Sequence, residues 1–293
     1  MASVLDELSA AVGSVAAAAG PAVVGVGRGG SGVVVGAGLV ATNAHNLRAE
    51  AVTVVFADGR RAEGESAGVD ADGDLAVVRV DTGDVPVPPL AGAVPVAGQA
   101  VVALANPAGR GLRVSLGLVS AVDVSFRGPG GRIVTGAFEH TAPLARGSSG
   151  GPVVDAAGAV VGIDTHRIGE GFYLAIPTAG LSERIASLAR GEVPRRPRLG
   201  IAVAPPRVAR RLRASVGLPE REGLLVHAAA DDGPAARAGI RQGDLIVAVG
   251  GTPVADADQL AAALEASPAG QPVAVTIVRG VEERVVSVDL EAA

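Results

Sequence analysis

Cysteine is absent from the 293 residues, and so are lysine and tryptophan. Without cysteine the chain forms no disulfide, uses no thiolate nucleophile and offers no sulfur ligand to a metal. That absence does not fix a compartment, because a cysteine-free chain can fold in any of them. Aromatic residues make up only 2% of the sequence, four Phe and one Tyr. The core must therefore be built from Ala and Val, and the β-branched share of that pair favours strands. All 25 basic residues are Arg, which we attribute to codon bias in a GC-rich genome. The formal net charge is −5 and the pI is near 5.4, so a nucleic-acid or anionic-membrane binder is not expected. Long apolar spans are missing too. The uncharged stretch Leu8–Gly27 is rich in Ala and is broken by Gly13, Gly20, Pro21 and Gly25, which makes it a poor bilayer span. Asp6 and Glu7 stand where a signal peptide wants basic residues. With neither signal peptide nor transmembrane helix in view, a cytoplasmic location is expected. The stretch reads instead as a short helix over Ser3–Ala19 leading into a strand at Ala22–Val26.

What is present is 48% hydrophobic and 19% charged, a globular balance, in a chain long enough for two domains. Short β-rich runs separated by Gly, Asp and Pro fill the first two thirds. They are Val33–Val35, Leu39–Ala41, Val52–Phe56, Leu75–Val80, Val101–Ala105, Val114–Val124, Ile133–Phe138, Val153–Asp155, Ala159–Ile163 and Phe172–Ile176. Many short strands with regular turn signals predict a barrel or sandwich. The proline-rich Val85–Pro95 suits a crossing between two halves. Thr178–Arg190 reads as a helix with Thr178 as its cap and Gly191 as its stop. Gly191–Arg198 has linker composition. Beyond it, strands at Leu199–Val203, Gly223–His227, Asp244–Val249, Val273–Val278 and Arg284–Leu290 alternate with helices at Pro206–Ala214 and Asp256–Ala266. The expected domains are 1–190, a linker at 191–198, and 199–293.

The chemistry concentrates in Arg146–Pro152, where Ser149 stands among glycines. A serine nucleophile needs a base, and the base needs a carboxylate to hold its tautomer. His45 follows a strand in Thr42-Asn43-Ala44-His45. Asp74 opens a buried-looking run, where an unpaired charge would be costly. The order His45, Asp74, Ser149 is that of the chymotrypsin architecture. The amides of Gly147 and Ser149 would form its oxyanion hole. Gly147-x-Ser149-x-Gly151 also fits the esterase pattern, but that pattern needs a helix after the serine, and Pro152 breaks one. His140, His166 and His227 carry no matching motif and no metal-ligand spacing, so no metal or cofactor is expected.

These residues resemble the HtrA/Deg group of trypsin-like serine proteases. The resemblance rests on TNAH at Thr42–His45, DLAVVRV at Asp74–Val80, ANPAG at Ala105–Gly109, GSSGGPVV at Gly147–Val154 and FYLAIP at Phe172–Pro177. Gly233–Val254 resembles a PDZ domain. The implied fold is mainly β: a chymotrypsin-like double six-stranded β-barrel followed by a small α+β PDZ domain. By the same resemblance His45 is the general base, Asp74 its orienter and Ser149 the nucleophile. Asp164 and Thr165 would pair with the substrate backbone. Leu199, Gly200 and Ile201 would receive a peptide's C-terminal carboxylate, and Leu260 and Leu264 would pack on it, although helical spacing serves a plain core equally well. Ser125–Arg132 is either a plain hairpin or a loop that senses the PDZ domain. Two departures stand out. Ser148 replaces the family's Asn, and Thr141–Arg146 replaces its Asp-Ala-Ala-Ile-Asn-Pro run, which leaves the primary specificity pocket open. The implied function is a serine endopeptidase acting on unfolded or damaged proteins, with PDZ binding of peptide C-termini. The alternative is a peptide-binding or chaperone-like protein with an inactive protease site. Trimers occur among relatives, but the aromatic residues that support them are missing here. Relatives also make the cell envelope the alternative location.

Overall fold

The computed structural model describes residues 3–128, 133–192, 197–267 and 271–292. Part of the Ser125–Arg132 loop (129–132) and part of the expected linker (193–196) lie outside them. The chain divides into two compact units, 1–193 and 194–293.

The first unit opens with helix α1 (Val4–Ala19), capped reciprocally by Ser3 and Asp6. Six strands follow: β1 (Val23–Val26), β2 (Gly30–Gly36), β3 (Leu39–Thr42), β4 (Ala51–Val55), β5 (Arg61–Asp70) and β6 (Leu75–Arg79). They close into a barrel in the order β1-β2-β3-β6-β5-β4. Strand β5 is not among the strands expected from the sequence, because Arg61–Ser66 has no apolar alternation. It is held instead by backbone pairing to β4 and β6 along its length. A second barrel is built from β7 (Ala100–Ala105), β8 (Arg113–Arg127), β9 (Ile133–His140), β10 (Pro152–Val154), β11 (Val160–Ile168) and β12 (Phe172–Pro177), in the order β10-β11-β12-β9-β8-β7.

One apolar cluster is continuous between the barrels. It runs from Val23, Val34 and Val77 to Leu104, Val154 and Ile163, so the seam between the barrels is packed core. Helix α2 (Leu181–Ala189) lays Leu181, Ile185 and Leu188 on that cluster. Thr178 does not cap it. Gly180 occupies the cap position with no side-chain bond, and the Thr178 hydroxyl faces the carbonyls of Ala91 and Val160 instead. The hydroxyl is buried, and those backbone acceptors outcompete the helix end.

The second unit comprises β13 (Pro197–Arg198), β14 (Ile201–Val203), α3 (Pro206–Ser215), β15 (Leu224–Ala229), α4 (Pro234–Arg237), β16 (Leu245–Val249), β17 (Thr252–Pro253), α5 (Ala257–Glu265), β18 (Val273–Arg279), β19 (Glu282–Val288) and β20 (Glu291–Ala292), the last pairing with β13. The main sheet runs β14-β15-β16-β18-β19. Asp256 caps α5 through the amides of Asp258 and Gln259. The core gathers Leu224, Val226, Ile246, Leu260, Leu264, Val275 and Ile277.

Candidate active site

His45 sits on a single helical turn just after β3, and Asp74 stands immediately before β6. Because β3 and β6 are paired through Thr42↔Ala76, the two residues leave the sheet side by side. Asp74 is fully buried and holds a positive φ of 49°, a strained conformation of the kind that collects at functional sites. Its carboxylate is the hub. His45 Nδ1 lies 2.9 Å from Oδ1 and 3.0 Å from Oδ2, and the His45 amide donates to Oδ1 at 3.3 Å. The Thr165 hydroxyl donates to Oδ2. Asn43 Nδ2 donates to the Asp74 carbonyl at 3.0 Å.

Ser149 lies on the loop between β9 and β10. That loop is shaped by Gly147 at φ 87° and Gly150 at φ 91°. A Cβ at Gly147 would stand 2.1 Å from the Gly29 carbonyl oxygen, and one at Gly150 would stand 2.1 Å from that of Ser31. The first barrel grips the loop. The Ser31 amide and Asn46 Nδ2 both donate to the Ser149 carbonyl, at 3.0 and 2.9 Å, and Ser31 Oγ donates to the Gly147 carbonyl at 2.8 Å. From the other side, β11 takes the Gly150 amide on the Asp164 carbonyl and offers the Asp164 amide to Gly151. Among the described residues the amides of Gly147 and Ser149 have no intramolecular acceptor.

Ser149 Oγ donates to the Thr165 carbonyl at 2.8 Å, and among the described residues no hydrogen bond joins it to His45. The Ser149 hydroxyl proton is thus parked on the backbone carbonyl of Thr165. Between Asp164 and Arg167 the β11–β12 register shifts, which leaves Thr165 and His166 in a bulge. Asp164 contributes differently from Thr165. Its backbone is taken up by Gly150 and Gly151, and its buried carboxylate lies 2.7 Å from Nε2 of His140, itself fully buried. Burial pushes the Asp164 carboxyl above the usual range, against the pull of His140. A cavity of about 260 Å³ beside Ser149 is lined by Leu144, Ala145, Arg146, Asp164, His166 and Tyr173, among others.

Sequence reasoning missed four contributors: Ser31, Asn46, Thr165 as a partner of Asp74, and His166. Nδ1 of His166 lies 2.8 Å from Thr165 Oγ1 and 3.8 Å from Asp74 Oδ2. Burial holds His166 below the usual imidazole range; Asp74 opposes this and His45 adds to it. No local signal marks these residues, because each acts on a partner from a distant segment or from a bulge.

A trypsin-like peptidase domain model matches residues 30–163, and a PDZ domain model matches 225–279. The putative serine protease HhoA of Synechocystis sp. is 33% identical over 274 residues, covering 86% of this chain and 67% of HhoA. The chain belongs to the HtrA/Deg family of serine proteases. A probable periplasmic serine endoprotease, DegP-like, of Brucella suis is 33% identical over 279 residues, 90% of this HtrA/Deg chain and 52% of that relative. The chain thus spans about half the length of that curated relative. The solved HtrA-type protease AlgW with decapeptide superposes with a TM-score of 0.73 at 25% identity, covering 96% of this chain and 98% of that one.

In the PDZ region, Gly200 holds a φ of 70°, and the carbonyls of Leu199 and Gly200 accept from Ala235 and Ala230. Among the described residues the amides of Leu199 and Gly200 have no intramolecular acceptor. Leu260 and Leu264 are buried in the unit's core, and Ile201 packs on the same cluster. Among the described residues no group of His, Asp and Glu could hold a metal.

Proposed function

We propose that the chain is a serine endopeptidase whose protease domain spans 1–190 and whose PDZ domain spans 199–293. The observation that carries this reading is the His45–Asp74 pair at 2.9 Å, with Asn46, the next residue, holding the backbone of Ser149. A buried carboxylate that fixes one ring nitrogen leaves the other, Nε2, free to accept a proton. When a polypeptide lies along the β11 bulge, its N–H takes the Thr165 carbonyl and releases the Ser149 hydroxyl to turn toward His45. Ser149 Oγ then forms a bond to the scissile carbonyl carbon while His45 takes its proton. The Gly147 and Ser149 amides, both without an acceptor among the described residues, receive the oxyanion. His45⁺ returns the proton to the leaving amine, and water resolves the acyl enzyme by the same path in reverse.

Unfolded or damaged polypeptides are the substrates this reading supports, since an extended backbone is what a strand edge can bind. The PDZ domain would receive a C-terminal carboxylate at Leu199, Gly200 and Ile201, with apolar residues against the α5 side near Leu260 and Leu264. AlgW was solved with a decapeptide, and a peptide ligand is proposed here by that likeness. The periplasmic name of the Brucella relative supports the cell envelope over the cytoplasm expected from sequence. Among the described residues no helix is long and apolar enough to cross a membrane. The test is cleavage of an unfolded protein and a fluorogenic peptide by wild type and Ser149→Ala, with and without a peptide bearing a free C-terminal carboxylate. The expected loss in the variant is roughly 10³–10⁶-fold in kcat. Equal rates in all arms would sink the proposal and leave the peptide-binding alternative.

A further inference from the structure

Resting on that reading, we propose that His166 is a positioning residue of the catalytic centre, wired through Thr165 to the same carboxylate that orients His45. The direction of the hydrogen bonds fixes its protonation. A hydroxyl has one proton, and that of Thr165 is given to Asp74 Oδ2. Toward His166, 2.8 Å away, Thr165 Oγ1 can therefore only accept. Neutral His166 must carry its proton on Nδ1, and the chain runs His166 Nδ1–H to Thr165 Oγ1–H to Asp74, with His45 Nδ1–H arriving at the other oxygen. Two imidazoles thus converge on one buried carboxylate.

The arrangement has a consequence for charge. The rings of His45 and His166 are 5.6 Å apart, edge to face. A proton added at Nε2 of His166 would place a full positive charge beside the one His45 acquires when it takes the Ser149 proton. At a partly exposed site this repulsion is worth about tenfold in rate. Among the described residues the groups facing His166 are few. Asp74 and His45 come from the first barrel, Phe126 of β8 presents only its ring at 5.1 Å, and the Arg167 side chain donates to the Gly169 carbonyl. Arg146 lines the same cavity. Burial keeps His166 neutral further into the acid range than an ordinary histidine. The centre therefore works with both rings neutral and loses activity on the acid side through two protons instead of one.

Two measurements test this. The first is ¹⁵N NMR of the histidine rings in full-length Ser149→Ala. Neutral His166 is expected as the Nδ1–H tautomer, which free imidazole side chains disfavour; the Nε2–H tautomer overturns the proposal. This readout needs no activity, so it stands apart from the failure of the protease reading itself. The second is the pH profile of kcat/KM for wild type, His166→Gln and His166→Leu, with folding checked by circular dichroism at each pH. The acid limb of the wild type should steepen toward two protons, while both variants keep a one-proton limb. Glutamine can still donate to Thr165, so its plateau should stay within about threefold of wild type, whereas leucine should lose about three- to tenfold in kcat. Superimposable acid limbs in all three proteins, or a change confined to KM, would overturn it.

Discussion

Ser31 joins three segments through one buried residue. Its hydroxyl donates to Gly147 and accepts from the Asn106 amide, its amide donates to Ser149, and its carbonyl accepts from Thr42. Replacing it with alanine leaves the Asn106 amide and the Gly147 carbonyl without that partner. Ser31→Ala should cost about 1–3 kcal/mol in urea unfolding and should also lower kcat, because the nucleophile loop loses its anchor. Gly147→Ala is expected to act on the rate instead. Its Cβ would collide with the Gly29 backbone and turn the amide aside, for a loss of roughly 10²-fold or more in kcat. These residues separate what the sequence displays from what it hides. His45, Asp74 and Ser149 sit in short contiguous motifs, so the roles proposed for them can be read one segment at a time. Ser31 lies 116 residues from its Gly147 partner, and Thr165 lies 91 from Asp74, so nothing local announces either contact.

At the scale of the element, β11 does most to organise the site. One end pairs with β10 and β12, and the bulge after Asp164 turns Thr165 and His166 toward the centre. Beneath it lies the His140–Asp164 pair. Asp164 holds its proton more tightly folded than unfolded. Its contribution is therefore complete below the ordinary carboxylate range and is lost as pH rises through the raised folded value. Asp164→Asn should flatten that decline, measured as urea midpoints across the acid range. In the second unit, Asp256→Ala should cost about 1 kcal/mol, read by thermal unfolding, because two amides at the start of α5 lose their acceptor. The α5 cap was legible because Asp precedes a helical pattern directly. The missed β5 and the misassigned Thr178 were not, since backbone pairing and a buried carbonyl decided them.

For the whole molecule, each unit carries a core of its own. Ile246 is fully buried in the second. Ile246→Ala should cost about 2–5 kcal/mol. Hydrogen exchange should show the loss across 197–267 and 271–292 and leave the strands of the first unit's barrels protected as before. Within the first unit, the grip of Ser31 and Asn46 on the serine loop has a consequence for synthesis. His45 and Asp74 belong to the half of the domain that leaves the ribosome first, and Ser149 arrives about 75 residues later. Until that later stretch has emerged and docked, no emerging chain contains a working centre. If the proposed chemistry holds, a nascent chain of this design cannot digest its neighbours on the polysome, and the order of the segments along the chain is itself a safeguard.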